Sequence, residues 1–175
     1  MRKLMLTMVL AVPAFAQTLT VKDALVKHWK VTADFTMAVA DKMPADSYGF
    51  KPVPEELSFG QLVIQIAVAN VGACANASGM PRVATPDALA QALKDEKKDV
   101  DKATAMKYLG DTFKFCNDAV ASMTQEKLEA LTGSSTRKLS GFEWLWAYFT
   151  HTAHHRGQAE VYLRVKGIKP PDYTF

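Results

Sequence analysis

Four long stretches, each with apolar side chains returning every three or four residues and each bounded by helix-starting and helix-stopping residues, constrain the fold more than any other feature of the chain. In the first, Thr20 and Asp23 form a capping signal, and Val21, Ala24, Leu25, His28, Phe35 and Val39 share one face. It is predicted to end near Met43, because Pro44 cannot continue a helix. A breaker-rich loop, YGFKPVPEEL, follows. Ser58 can cap the second helix, which is expected to run to about Ser78 and stop at Gly79. Its stripe is Phe59, Leu62, Val63, Ile66, Ala69 and Ala73, and the small residues Ala69, Gly72 and Ala73 leave room for a close neighbour. The segment MPRVATPDALAQALKDEKKD reads as a crossover with a short helix beginning at Pro86. The third helix is predicted over 100–123, with Met106, Leu109, Phe113, Cys116 and Val120 inward. After a polar connection through Gly133 and Ser134, Ser140 and Glu143 form a capping box for the fourth. That helix is predicted to reach Lys166 and end at Gly167, ahead of Pro170 and Pro171. No strand pattern stands beside these four. The expected class is all-α: a four-helix bundle with a crossover connection between helices 2 and 3.

The first residues do not share this pattern. Arg2 and Lys3, the apolar run LMLTMVLAV and the ending AFA describe a secretory signal peptide over 1–16. The folded domain is then 17–175, beginning at Gln17, and the expected location is periplasmic or secreted. Removing Arg2 and Lys3 takes the formal charge from +3 to +1, and a near-neutral chain speaks against nucleic acid as the main partner. No later segment reads as long and apolar enough to cross a membrane. Export would place the chain where disulfides persist, and Cys74 and Cys116 are its only cysteines. They lie late in the second and third helices and could pair if those helices run parallel; the other reading is two buried thiols on separate helices.

Three of the four histidines fall in HTAHHRGQ, at 151–158. At 100° per residue, Trp144, Tyr148, His151, His155, Gln158 and Tyr162 form one stripe of the fourth helix. His151 and His155, four residues apart, can converge on one cation, as imidazoles do in helical zinc sites. Core or groove histidines satisfied by hydrogen bonds are the competing reading. His28 is expected to point into the bundle, either bonded to a neighbouring helix or serving as a further ligand or general base. The opposite side of the fourth helix starts apolar, with Phe142, Trp146, Phe149 and Ala153, which suggests a homodimer contact.

SFGQLVIQIAVAN on the second helix, HTAHHRGQAEVYLR on the fourth and the closing GIKPP resemble the DinB-like family of bacterial four-helix proteins. The resemblance spans nearly all of the chain after the signal segment. It implies a bundle with a crossover and a divalent metal, zinc or nickel, held by three histidines. Two of these correspond to His151 and His155. The third belongs on the second helix, where this sequence has Gln65, a neutral and weaker donor. His28 could replace it only at the right height in the bundle. Some relatives look like transferases that use low-molecular-weight thiols, with the metal activating the thiolate. Two functions follow as expectations. One is a small-molecule or partner-binding protein whose metal site is degenerate, with metal weakly bound or absent. The other is a divalent-metal-dependent enzyme, thiol transferase- or hydrolase-like, acting on a small molecule in the bundle cleft.

Overall fold

The computed structural model describes residues 19–95, 98 and 100–174. The signal peptide expected at 1–16 and its cleavage point lie outside them. Helix α1 spans Val21–Lys42. The Thr20 hydroxyl accepts the Asp23 N–H at 3.1 Å and the Asp23 carboxylate accepts the Thr20 N–H at 3.1 Å, so two otherwise orphaned donors are satisfied. Its buried face runs through Leu25, Trp29, Ala33, Phe35, Val39 and Ala40. The face is centred on Trp29, which is fully buried, rather than on His28 as the stripe suggested. The larger apolar ring claims the core position, and one 100° step leaves His28 half-buried on the flank and Val21 exposed.

Helix α2 spans Phe59–Ser78 and starts in a Ser58–Gln61 capping box. It ends at Gly79, whose φ of 75° is open to glycine at no cost. By length and composition α2 could cross a bilayer, with a mean hydropathy of 1.3, which corrects the expectation that no such segment exists. It is buried on nearly every side, as the central helix of a protein core is. The Gln61 amide donates to the Ala92 carbonyl at 2.8 Å, tying the start of α2 to helix α3, Asp87–Ala92, which follows Pro86 as predicted.

Helix α4, Lys102–Ala121, starts from an Asp101 cap and falls two residues short of the predicted span at each end. Gly60 lies against Val100 at one end of the α2–α4 pair, and Cys74 is disulfide-bonded to Cys116 toward the other, with Cα atoms 5.4 Å apart. Helix α5, Gln125–Glu129, and a two-stranded antiparallel sheet, β1 Leu131–Gly133 with β2 Lys138–Ser140, were not anticipated. Strands this short show no readable alternation. The hairpin is held from outside, by the Trp144 indole N–H donating to the Thr132 carbonyl at 3.2 Å.

Helix α6, Gly141–Val165, begins in the Ser140–Glu143 capping box and ends ahead of Gly167 at φ 74°. The chain is thus a mostly helical bundle in which α2 packs on α4 and α6, and α1 packs on the same two helices. Its core joins a cluster around Phe59, Ile64, Leu109 and Leu163 to one around Trp29, the disulfide and Leu145. The opposite flank of α6 carries a ladder of stacked rings, Phe142, Trp146 and Phe149, with Trp146 more than half exposed.

Candidate functional site

Leu145, Thr152, Arg156, Ala159 and Leu163 form the buried seam of α6. The histidine stripe lies beside that seam, on the edge facing α2, so His151 and His155 are half-buried. One helical turn apart, their Nε2 atoms come within 3.0 Å of each other. Across the cleft, the Gln65 side-chain amide on α2 stands 3.3 Å from His155 Nε2. His155 Nδ1 lies 2.7 Å from Gln158 Oε1; in the tautomer that donates Nδ1–H to this oxygen, the Nε2 lone pair points at the other two groups. The Tyr148 ring sits 5.5 Å from His151 and closes the row.

Burial, and then the neighbouring His155 and His154, hold the His151 pKa below the ordinary histidine value. The imidazole is therefore neutral, and able to act as a ligand, at neutral pH. His151 Nδ1 is buried without a hydrogen-bond partner among the described residues. Two nitrogens that share one tetrahedral cation stand roughly 3.3 Å apart. The observed 3.0 Å separation is close to that, so the pair converges on a single point. Turning the Gln65 amide would place its carbonyl oxygen toward the same point, since its O and N are interchangeable by a flip. No three His, Cys, Asp or Glu side chains are placed to share an ion among the described residues. The donor set thus fits a cation with two imidazoles and one amide oxygen, a weaker set than three imidazoles.

His28 is not part of this group. It lines a different groove, with Trp29, Trp146 and Phe149. His154 is exposed, its ring 5.0 Å from that of His155. Gln65 and His151 line a cavity of about 420 Å³, together with Val68, Leu93, Arg137 and Tyr148. Ala69 also faces it, and a Cβ on Gly72 would meet nothing within 4 Å, so the close helix neighbour expected at these two positions is not found among the described residues.

Two residues escaped the sequence reading. Arg137, in the polar connection, lies over the Trp144 ring at 5.1 Å and lines the cavity. No period marks it, because the hairpin sets its position. Arg156, outside the histidine stripe, is buried against Phe35 at 4.5 Å and donates to the Thr36 hydroxyl at 3.5 Å. Its place in an apolar 3.6-residue period with Thr152, Ala159 and Leu163 was the available signal.

The chain has relatives. Residues 28–159, which include Gln65, His151 and His155, match the DinB superfamily. The uncharacterized protein YjoA of Bacillus subtilis is 27% identical over 154 residues, covering 83% of this chain and 90% of that protein. The crystal structure of that DinB-like protein superposes with a TM-score of 0.66 at 21% identity, covering 87% of this chain and 96% of the other. A DinB-like protein of Bacillus cereus superposes with a TM-score of 0.70 at 16% identity, covering 89% and 99%. At those identities the two structures speak for the fold. The sequence match over most of the chain carries the assignment further: the chain belongs to the DinB superfamily.

Proposed function

We propose that the protein is an exported four-helix-bundle member of the superfamily that binds a small molecule in the cleft between α2 and α6, beside a degenerate metal site of His151, His155 and Gln65. One observation carries this reading: two imidazole nitrogens 3.0 Å apart, with Gln65 as their third neighbour, at the wall of a cavity of about 420 Å³. The crossover between the second and third long helices is supported by the contacts at both ends of the α2–α4 pair, which fit two helices running in the same direction. Export is supported by the residues at 1–16 and by the disulfide.

His151, His155 and Gln65 would hold a divalent cation, zinc or nickel, weakly. When bound, such an ion supplies Lewis acidity toward a water or a thiolate. The second reading, a metal-dependent enzyme of thiol transferase or hydrolase type, is favoured by the His155–Gln158 hydrogen bond, which aims Nε2 as second-shell partners aim metal ligands.

Zinc titration of protein purified without an affinity tag tests the site. Wild type is expected to bind weakly, and Gln65→His to bind at least about tenfold more tightly, roughly 1.4 kcal/mol. Adding His151→Ala to Gln65→His should abolish the gain, because the ligands act as one site. Tight zinc binding by wild type that disappears in His28→Ala would overturn the assignment of Gln65 as third donor. Absence of binding in Gln65→His would mean that the two histidines do not form the site.

A further inference from the structure

Arg137 gives the cavity a second polar group. Arg137 stands in the turn between β1 and β2, its N–H donating to Ser134 Oγ at 3.1 Å and its carbonyl accepting the Ser134 N–H at 3.0 Å. Its guanidinium lies 5.1 Å from the Trp144 ring and 5.7 Å from the Tyr148 ring, and Nη1 donates to the Tyr148 hydroxyl at 3.3 Å. Trp144 is itself fixed by burial and by its bond to Thr132. An exposed, rotamer-rich side chain is thus held in one orientation by α6. No carboxylate pairs with it among the described residues. A guanidinium carries its five N–H donors in one plane, so a ring against its face leaves most of the edge available.

Apart from its polar groups the cavity lining is apolar, with Val68, Leu93 and Ala147. One lining thus combines a cation, an apolar surface, an imidazole and an amide. A guanidinium stacked merely to cover the indole would be equally well placed on closed surface. This one lines a concavity of ligand size.

We propose that Arg137 anchors the carboxylate of a small-molecule anion, whose uncharged body lies along Val68, Leu93 and Ala147 and whose far end reaches His151 and Gln65. Planar, two-pronged recognition of an oxyanion is what an oriented guanidinium edge does best. The inference rests on the reading of this cavity as the functional site and names the class of ligand it takes. It requires no metal.

The test uses metal-free protein, with 4-phenylbutanoate and its neutral counterpart 4-phenylbutanamide as probes, followed by ¹⁵N NMR. The Arg137 Nε–H and Trp144 indole N–H report on the anchor, and the Ala147 amide reports on the cavity. The carboxylate is expected to shift all three in a saturable manner and to bind at least about tenfold more tightly than the amide. Arg137→Gln should reduce carboxylate binding to the level of the amide and leave the amide unchanged, while Arg137→Lys should retain part of the difference. Spectral dispersion establishes that both variants are folded. If the two probes bind wild type equally and both shift Ala147, the carboxylate anchor is wrong and the cavity reading stands. If Arg137→Gln binds the carboxylate as wild type does, the anchor is equally wrong. If neither probe shifts Ala147 at about 10 mM, a Kd range near the weak limit of specific binding, both readings fall.

Discussion

Single residues show how local chemistry completes what periodicity begins. Pro44 ends α1 and also deprives the Ala40 carbonyl of the N–H it would accept four residues on. The Tyr48 hydroxyl fills that role, donating to Ala40 O at 2.8 Å from a buried position. Tyr48→Phe is expected to cost about 1–3 kcal/mol, the range for leaving a buried acceptor unmet, as read by urea denaturation at pH 8. Burial, with the Asp41 charge as a lesser cause, pushes the Tyr48 pKa well above the ordinary tyrosine value. In the unfolded chain the phenol ionises near 10. Above that pH the folded state holds the proton that the unfolded state has released, so stability falls as pH rises from about 10 toward the folded value. Phenylalanine has no such proton. The deficit of Tyr48→Phe should therefore shrink by about 1 kcal/mol between pH 8 and pH 11. A deficit that is the same at both pH values would show that Tyr48 is not shielded from ionisation by the fold.

At the scale of the element, α2 carries two glycines whose surroundings oppose each other. A Cβ at Gly60 would stand 2.9 Å from the Val100 carbonyl oxygen and 3.1 Å from the Val100 Cβ. Gly60 lies in the first turn, where helix propensity counts for little, and overpacking costs about 1–3 kcal/mol. At Gly72, in mid-helix, an added methyl meets nothing within 4 Å. There Gly→Ala gains up to about 1 kcal/mol from propensity and from the loss of unfolded-state freedom. Gly60→Ala should therefore lower the denaturation midpoint and Gly72→Ala raise it. Equal shifts of one sign would mean that α2 and the start of α4 are not in contact as described.

For the whole molecule, the disulfide is the one covalent tie between distant parts of the chain among the described residues. With a sequence separation of 42 residues, the chain-entropy model assigns it about 4 kcal/mol. Reduction should lower Tm by about 10 °C for a chain of this size. The same bond connects to the proposed export. Mass spectrometry of protein from its native host, without reductant, should find a chain that begins at Gln17 and contains no alkylatable thiol. A full-length chain with two alkylatable cysteines would place the protein in a reducing compartment and remove the case for export.

The four long helices, the start of α3 and the caps of α1, α2 and α6 were legible in the sequence, because a helix is specified by neighbours three and four residues away and by its own terminal side chains. The convergence of His151 with His155 was legible for the same reason, since both sit on one helix. Short strands were not, because Leu131–Gly133 and Lys138–Ser140 are held by Trp144 rather than by any pattern of their own. The position of His28 was decided by competition with Trp29 for the core, which a stripe of equal-weight apolar positions does not reveal. Arg137 reached the cavity because a turn with Gly133 at φ 121° delivers it over the rings of α6. What the sequence determined by itself was the four long helices and the periodicity of their faces. Only the tertiary structure decided which faces meet, because that depends on volumes and directions contributed by residues far apart in the chain.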